Sequence, residues 1–233
     1  MGQKVHPVGF RLGFNKTWRS RWFADKDYAK LLHEDLALRS TLKKRFMHAG
    51  VSKIETERAV NRLKIDIYTS RPGIIIGRKG AEVERLQEEL QTLTGRRIDI
   101  KIEEVTRPEI DAQLISEDIA EQLQKRSSFR RTLKRTLEQT MDGGARGVRI
   151  QLSGRLGGSE MSRTESGNLG SIPLSTLRAK IDYGFSEAKT AQGHIGIKVW
   201  VNQGDYLKTE GGTDAHDAQA GQVPKKPKRP RKR

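Results

Sequence analysis

The chemistry that this sequence offers most clearly is the binding of phosphate groups by a short loop between two glycines. The loop is Gly77-Arg78-Lys79-Gly80; an apolar run precedes it, and an amphipathic helix is predicted after it. Glycines let the backbone turn tightly and let a phosphate chain come close to the main chain. The first turn of the following helix adds unpaired N–H groups and the positive end of the helix dipole. With Arg78 and Lys79 at its tip, the loop is predicted to bind a phosphate backbone.

A second group of residues suited to phosphate lies on a predicted helix in the other half of the chain. The cations concerned are Arg126, Arg130, Arg131, Lys134 and Arg135. At 100° per residue, the cations from Arg130 onward cover an arc that faces mostly away from Phe129 and Leu133. Such a face would hold single-stranded nucleic acid by charge and would carry little sequence information. The alternative is an ordinary solvated charged face.

The N-terminal arm, residues 1–28, interleaves basic and aromatic residues without a sustained helical or strand period. It contains Lys4, His6 and Arg11, together with Trp18 and Trp22. Basic residues beside aromatic rings suit RNA, because charge meets phosphate and rings stack on bases. The alternative is that the rings pack on the protein's own core, and the sequence leaves this choice open.

A glycine-rich loop is predicted at residues 153–171, and it carries Arg155 and Arg163. Its glycines would permit a close approach to RNA, and the two arginines would supply charge. The alternative is a hairpin-like connection that serves only the fold.

The elements that must position the first loop follow a definite order. Apolar periodicity predicts a helix over about residues 28–48, strands over 52–58 and 61–69, a helix over 81–93 and a strand over 97–103. With residues 72–76 as a short helix before the glycines, the order is helix, strand, strand, helix, helix, strand. This order and the loop resemble the type II KH domain, whose GXXG loop clamps about four nucleotides. The alternative for the glycines is a simple turn that caps a helix.

The dipeptide Arg107-Pro108 interrupts this pattern, and we place a domain boundary there. Beyond it, the sequence predicts helices over 109–126 and 128–141 and strands around 148–152, 177–183 and 195–201. The C-terminal residues are rich in lysine, arginine and proline, so they are predicted to be disordered. The predicted fold class is α+β, with an N-terminal arm (1–28), a type II KH domain (29–107), a C-terminal α/β two-layer domain (108–207) and a disordered basic tail (208–233).

The composition excludes several classes of protein. Lysine and arginine number 45 against 29 acidic residues, which gives a net charge of +16 and indicates a partner that carries many phosphates. Cysteine is absent, so disulfides, thiolate metal sites and cysteine nucleophiles are excluded. No apolar run is long enough for a membrane helix, and the N-terminus lacks a secretory signal. We therefore expect an intracellular protein without a membrane partner.

An enzyme acting on nucleic acid is the alternative to a binding protein. The five histidines are scattered, with no pair at metal-ligand spacing. The glycine loop does not fit the ATP-binding pattern, in which four residues separate two glycines and the second glycine is followed by Lys and then by Ser or Thr. Here three residues separate Gly73 from Gly77, and Lys79 does not directly follow Gly77. Asp111, Glu117 and Asp118 are interpreted as ion-pair partners on a helix surface. The sequence thus favours a binding protein without catalytic residues, cofactor or bound metal.

Over residues 1–207, the chain resembles a known family, the bacterial small-subunit ribosomal protein number three. Residues 166–171 depart from that family, because they lack the basic residues that it carries before its Pro-Leu pair, and the tail is similar only in being basic. The matching segments, in order, are residues 1–7 with 11–13, 71–80, 129–131 with 134–135, 153–158, 163–165, 173–174 with 176–179 and 181–183, and 196–200.

The resemblance implies a cytoplasmic constituent of the small ribosomal subunit that binds rRNA in the head of the subunit. It also implies a place where mRNA enters, with a role in positioning mRNA and helping to unwind it during translation. The implied neighbours are small-subunit ribosomal proteins ten and fourteen in the head and four and five at the mRNA entrance, and no homo-oligomer is expected. The implied RNA-binding residues are Gly77, Arg78, Lys79 and Gly80 in the KH clamp, Arg130, Arg131, Lys134 and Arg135 for mRNA, and Lys4, His6, Arg11, Arg155, Arg163 and Arg178 for rRNA.

A free KH-containing regulator of RNA, outside the ribosome, is a third hypothesis. The arm and the basic tail argue against it, because neither is predicted to become ordered alone. Burial within a larger RNA would order both of them.

Overall fold

The computed structural model describes residues 3–59, 62–77 and 80–206. They form an arm and two units, each unit with a four-stranded sheet. The arm and the first unit contain α1 (Pro7–Arg11), β1 (Ser20–Arg21), α2 (Tyr28–Arg45), β2 (Val51–Arg58), β3 (Arg62–Thr69), α3 (Pro72–Ile76), α4 (Ala81–Thr94) and β4 (Arg97–Glu104). The second unit contains α5 (Ala112–Gln124), α6 (Phe129–Asp142), β5 (Gly147–Gly154), β6 (Arg163–Gly170), β7 (Ala179–Thr190) and β8 (Gly193–Asp205).

Two of the sequence predictions fall outside the described part of the chain. The predicted disordered tail, residues 208–233, is one of them, and the two cations at the tip of the glycine loop, Arg78 and Lys79, are the other. Among the residues that are described, no helix combines the length and the apolar character that a membrane crossing requires.

The first sheet has the strand order β1-β2-β3-β4, with β2 antiparallel to β3 and β4 parallel to it. Alternation along β3 sends Leu63, Ile65 and Ile67 to one face of the sheet, where all three are fully buried. The helices cover that face with Leu38, Leu42, Leu86 and Leu90. The order of elements predicted for a type II KH domain is confirmed.

The second sheet is antiparallel throughout, with the strand order β6-β5-β8-β7. Helices α5 and α6 pack against one of its faces. The core between helices and sheet includes Ile119, Leu137, Ile150 and Val199. This is the α/β two-layer arrangement that the sequence predicted.

The helix predicted from residue 109 begins later, at Ala112. The Asp111 carboxylate accepts hydrogen bonds from the backbone N–H groups of Gln113 and Leu114, at 3.0 and 3.1 Å, and so caps the helix. Residues Pro108–Ile110 form a separate 3-10 turn before the cap. A side-chain cap therefore sets where the helix begins, and the domain boundary at Arg107-Pro108 stays a prediction.

The predicted glycine-rich loop at 153–171 is partly wrong, because it contains strand β6. This strand pairs with β5 from Gly154↔Arg163 to Gly147↔Gly170, so the hairpin that the sequence left as an alternative is present. An inward position of β6 is occupied by Gly167, where a Cβ would lie 2.7 Å from Leu137 Cδ1 and would overlap Leu133. Helix α6 lies so close to this strand that a side chain does not fit, and the usual apolar alternation is absent.

The arm packs against both units. Helix α1 lies on β7, and β1 adds a short parallel strand to the edge of the first sheet, with Ser20 opposite Thr56. Trp22 turns inward and its ring lies 5.2 Å from that of Tyr28, whereas Trp18 is 64% exposed. The sequence left open whether the rings of the arm pack on the protein's own core. One tryptophan packs on the protein, and the other faces solvent.

A buried hydrogen-bond network joins the arm to the first unit. Asp35 of α2 has no exposed surface, and its carboxylate accepts hydrogen bonds from Ser20 Oγ at 3.0 Å, Trp22 Nε1 at 2.9 Å, Thr56 Oγ1 at 2.8 Å and the guanidinium group of Arg58. Burial raises the pKa of Asp35, but hydrogen bonds from Trp22, Arg58 and Thr56 outweigh it and hold the pKa below its usual value. The arm is therefore held by polar bonds in the protein interior.

Candidate RNA-binding surfaces

The glycine loop lies between the end of α3 and the start of α4. Gly77 has φ 68° and Gly80 has φ 84°, in a region that residues with side chains rarely adopt. A Cβ on Gly77 would also lie 2.6 Å from Cγ of Glu82 in the first turn of α4. Both glycines therefore adopt backbone conformations that favour glycine, whereas phosphate binding by the loop and the contribution of Arg78 and Lys79 stay predictions from sequence.

Glu82 is the acidic side chain beside this loop, and it is compensated. Its carboxylate oxygens lie 3.7 Å from Arg45 Nη2 and 3.6 Å from Arg85 Nη1. A carboxylate in the first turn of a helix also interacts favourably with the helix dipole. The charge of Glu82 is thus offset within the protein.

Helix α6 separates its residues into a buried side and a cationic side. Three threonines, Thr132, Thr136 and Thr140, are buried together with Leu137 on the side that faces the sheet. The opposite side carries four exposed cations, which we call the cationic ridge: Arg130, Arg131, Lys134 and Arg135.

The cationic ridge has little compensating charge of its own. Lys134 Nζ lies 3.9 Å from Glu138 Oε1, and both of these side chains are more than half exposed. The three arginines of the ridge form no ion pair with any described residue. Surface ion pairs such as that of Lys134 are worth at most about 1 kcal/mol, so all four cations are available to an anionic partner.

The β5–β6 hairpin brings a fifth cation to the beginning of the ridge. The guanidinium carbons of Arg163 and Arg130 lie 5.4 and 5.6 Å from the centre of the same ring, that of Phe129. Glu165 lies 3.5 Å from Arg163, and both side chains are close to half exposed. Sequence reasoning assigned Arg163 and Arg130 to different RNAs and missed that they are neighbours, because strand β6 was not predicted.

Arg155 has mainly a structural role in this hairpin. Its Nε donates to the carbonyl oxygen of Ser159 at 2.9 Å, and its Nη1 donates to that of Gln192 at 3.0 Å. These bonds tie the turn after β5 to the β7–β8 turn. Arg155 is only half-buried, so part of the residue is exposed to solvent.

Arg11 corrects the sequence prediction that it binds rRNA. Its side chain has no exposed surface. Its guanidinium nitrogens donate to the carbonyl oxygens of Ala179 at 2.9 Å and of Thr176 at 2.8 Å, and further bonds reach Pro7, Pro173 and Leu174. Burial lowers the pKa of Arg11. Its Nη1 bonds within α1, whereas Nε and Nη2 fasten α1 to the start of β7 and the segment before it, so Arg11 presents no exposed donor to RNA in this fold.

The other arm and edge cations remain at the surface. Lys4 and Arg178 are exposed. His6 is exposed as well, but its ring packs edge-on against Tyr183 with centroids 4.6 Å apart, and its Nδ1 accepts a 3.3 Å hydrogen bond from the N–H of Val8. Burial, together with the nearby charges of Lys16 and Arg19, lowers the pKa of His6. It is therefore a neutral ring at pH 7 rather than a cation.

The acidic residues that could have formed a catalytic centre have structural roles. Glu117 forms the predicted ion pair, with Lys43 Nζ 2.6 Å from its Oε1. The ion pairs predicted for Asp111 and Asp118 are absent among the described residues, and Asp118 accepts a hydrogen bond from Gln122 instead. Asp111 caps α5, and burial followed by the charge of Asp182 raises its pKa. Within the described ranges, no three His, Asp or Glu residues are grouped as metal ligands.

Comparison with known proteins accounts for both units. A profile described as "KH domain" matches residues 37–110, and one described as "Ribosomal protein S3, C-terminal domain" matches residues 119–201.

Relatives match over nearly the whole chain. Small ribosomal subunit protein uS3 of Rhodopirellula baltica is 58% identical and covers the full length of both chains. The uS3 proteins of Geotalea daltonii and Geobacter sulfurreducens are 60% identical over 89% of this chain and 99% and 98% of their own lengths. With both domains present in order and this identity sustained along the sequence, the chain belongs to the ribosomal protein S3 family of the small ribosomal subunit.

Proposed function

We propose that the chain binds rRNA in the head of the small subunit through the KH loop and the N-terminal arm, and binds mRNA where it enters the subunit through the cationic ridge of α6. The observation that carries this proposal is the ridge. It places four exposed cations on one side of a helix whose other side is buried, and Arg163 lies at its N-terminal end.

The spacing of the ridge suits a single strand of RNA. Arg130 and Lys134 are four residues apart, as are Arg131 and Arg135, so the two cations of each pair lie about 6 Å apart along the helix axis. An arginine fork can hold two oxygens of one phosphate, which a lysine does not do. Contacts with phosphates do not depend on the base sequence. A surface along which every mRNA moves needs this independence.

Assistance in unwinding requires that the ridge bind a single strand more tightly than a duplex. A surface that binds single strands and not duplex shifts the opening equilibrium of an mRNA hairpin toward the open form. The free energy for movement comes from translation, so the chain needs no nucleotide-binding site. Membership in a family of structural ribosomal proteins places it outside the enzymes.

The rRNA-binding part of the proposal is carried by the glycine loop and by Lys4, Arg163 and Arg178, with His6 as an uncharged contact and Arg155 in a secondary role. Arg11 is left out because it is buried. Small-subunit proteins ten and fourteen are the proposed neighbours in the head, and four and five are the proposed neighbours at the mRNA entrance.

The ridge is tested by the triple variant Arg130→Ala, Arg131→Ala, Lys134→Ala in reconstituted subunits. We expect initiation and elongation to be slower on an mRNA with a stable hairpin. On an unstructured mRNA of the same length, the rates should be normal. Assembly of the subunit should be unaffected, because all three side chains are exposed.

The matched control is Lys30→Ala, Lys44→Ala, Arg97→Ala, which removes the same charge from exposed positions on α2 and β4. It should leave both messages unaffected. Equal rates for the ridge variant and the parent on the hairpin message would refute the ridge proposal.

The KH loop needs a separate test that does not alter its backbone. Arg78→Asp with Lys79→Asp keeps both glycines and reverses the charge between them. We expect weaker binding of head rRNA and a smaller salt dependence, by about 0.7 to 0.9 in the log–log slope for each lost phosphate contact. An unchanged slope would remove the loop from the proposed RNA-binding residues.

A further inference from the structure

The outer face of the second sheet carries aromatic and cationic residues that have no role in the proposed function. Helices α5 and α6 cover the inner face, where Ile150, Ile197 and Val199 are fully buried. Alternate residues point the other way. On strands β5, β7 and β8 they form a surface that we call the platform: Arg149, Gln151, Tyr183, Phe185, Lys198 and Trp200.

The strand register arranges the platform in two rows. Trp200 lies between Arg149 and Tyr183, with the Arg149 guanidinium carbon 5.3 Å from its ring and the Tyr183 ring at 5.5 Å. The arm extends this row, because His6 packs on Tyr183. In the second row Lys198 lies between Gln151 and Phe185, and the ring of Phe185 is 44% exposed. The first row is therefore internally packed, and the second offers an open ring beside an exposed cation.

Charge distinguishes this face from the outer face of the first sheet. There most cations are neutralised within the protein, as shown by Arg21 with Glu55 at 2.5 Å, Lys64 with Asp66 at 3.1 Å and Lys101 with Glu103 at 2.6 Å. Only the pair Arg62 and Arg97, at one end of that face, forms no ion pair with any described residue. On the platform, Arg149 and Lys198 form no ion pair with any described residue.

The surroundings of the platform carry little negative charge. The platform and its borders consist of three rows of paired residues, each of which runs across the sheet from β6 through β5 and β8 to β7. The rows begin at Asn168, Ser166 and Thr164 of β6. Glu187 at the far edge of these rows is the one carboxylate among their twelve residues, all of which are described. The platform is thus a cationic and aromatic surface bordered by amide and hydroxyl groups.

We infer that the platform binds an unpaired segment of small-subunit rRNA, with a base stacked on Phe185 and phosphates beside Arg149 and Lys198. A sheet that presents aromatic rings and cations without neighbouring carboxylates is suited to unpaired RNA, and the amide groups of Gln151 and Asn168 can bond base edges or 2′-hydroxyls. The occupant is rRNA rather than mRNA, because the cationic ridge lies across the domain on the helical face. The inference rests on membership of the small subunit and does not require that the ridge binds mRNA.

Occupancy is tested in intact subunits by hydroxyl-radical oxidation and by ultraviolet cross-linking, both read by mass spectrometry of the peptide 181–189. We expect Phe185 to be oxidised at least fivefold more slowly in the subunit than in the free protein, and a nucleotide adduct on Tyr183 or Phe185. Undiminished oxidation of Phe185 would overturn the inference. Protection without any nucleotide adduct, which would indicate a protein on this face, would also overturn it.

A variant test uses the full chain and a 12-nucleotide oligouridylate as the probe. In a chain that already carries the triple ridge substitution, Phe185→Leu should weaken binding by about tenfold, since stacking on one ring is worth about 1 to 3 kcal/mol per base. Leu93→Ala, which shortens an apolar side chain that is 71% exposed near the end of α4, is the control and should leave the affinity unchanged. Equal affinities for Phe185→Leu and its parent would overturn the inference, whatever the effect of the ridge substitution on translation.

Discussion

Asp35→Asn is expected to destabilise the first unit by about 3 kcal/mol. The Asp35 carboxylate has no exposed surface and faces Arg58, whose side chain is 4% exposed. An amide of the same shape keeps the space filled but leaves the guanidinium charge buried without its main counter-charge, which costs about 3 to 5 kcal/mol. Arg58 retains a second partner, Glu34, at 3.2 Å, so the lower end of that range is expected.

The measurement is urea unfolding at pH 7 and 25 °C, followed by circular dichroism and tryptophan emission. For m-values of about 1 to 3 kcal/mol per molar, the loss of about 3 kcal/mol lowers the midpoint by about 1 to 3 M. Tryptophan emission adds a local readout, because Trp22 Nε1 donates to Asp35 and should become more exposed in the variant.

The pH dependence has a defined sign. The pKa of Asp35 in the folded protein lies below its ordinary value of 3.8, because hydrogen bonds from Trp22, Arg58 and Thr56 outweigh the effect of burial. The stabilisation is therefore present above about pH 4 and is lost as the pH falls through the lower folded-state value. The difference between parent and Asp35→Asn should shrink in that acidic range.

Two comparisons decide whether this reasoning is right. Asp27→Asn removes an exposed pair with Lys30 at 3.2 Å and should cost less than about 0.5 kcal/mol. Adding Arg58→Met to Asp35→Asn should recover part of the loss, because the buried charge is then absent. If Asp35→Asn shifted the midpoint no more than Asp27→Asn does, the buried pair would not stabilise the fold.

The remaining predictions concern residues whose roles changed between sequence and structure. Arg11→Gln removes most of the bonds to the segment before β7 and should lower stability by about 2 to 3 kcal/mol in thermal unfolding, while the salt slope of RNA binding stays unchanged; a reduced slope would restore Arg11 as an RNA contact. Gly167→Ala should cost about 1 to 3 kcal/mol by overpacking against Leu137, whereas Gly73→Ala, whose Cβ would meet nothing within 4 Å, should cost almost nothing; equal calorimetric midpoints would contradict the close packing of β6.

The KH unit was predictable because its elements have clear periods. Ile65 and Ile67 alternate with polar residues in β3, and Leu86 and Leu90 follow the helical spacing in α4. The two glycines of the loop then marked the turn between helices. Each local signal agrees with the tertiary structure, so the order of elements followed from sequence alone.

The second unit shows where sequence reasoning ends. Strand β6 was missed because close packing by α6 replaces an inward side chain with Gly167. Arg11 and Arg130 are the same residue type in basic segments, yet one is buried with its donors bonded and the other is exposed. Charge in a sequence does not reveal which carbonyl oxygens a guanidinium will meet, since that depends on pairing between segments more than 160 residues apart.

The arm gives the two proposed RNA-binding regions a fixed relation. It pairs with the first sheet through β1 and lies on β7 of the second sheet through α1, while Lys43 and Glu117 join the units directly at 2.6 Å. When one site of a connected pair is bound, the other experiences a high effective concentration of its ligand. Anchorage of the KH unit to rRNA would therefore hold the ridge at the mRNA path, where individually weak and sequence-independent phosphate contacts suffice. A loose connection between the units would forfeit that gain even with every cation in place.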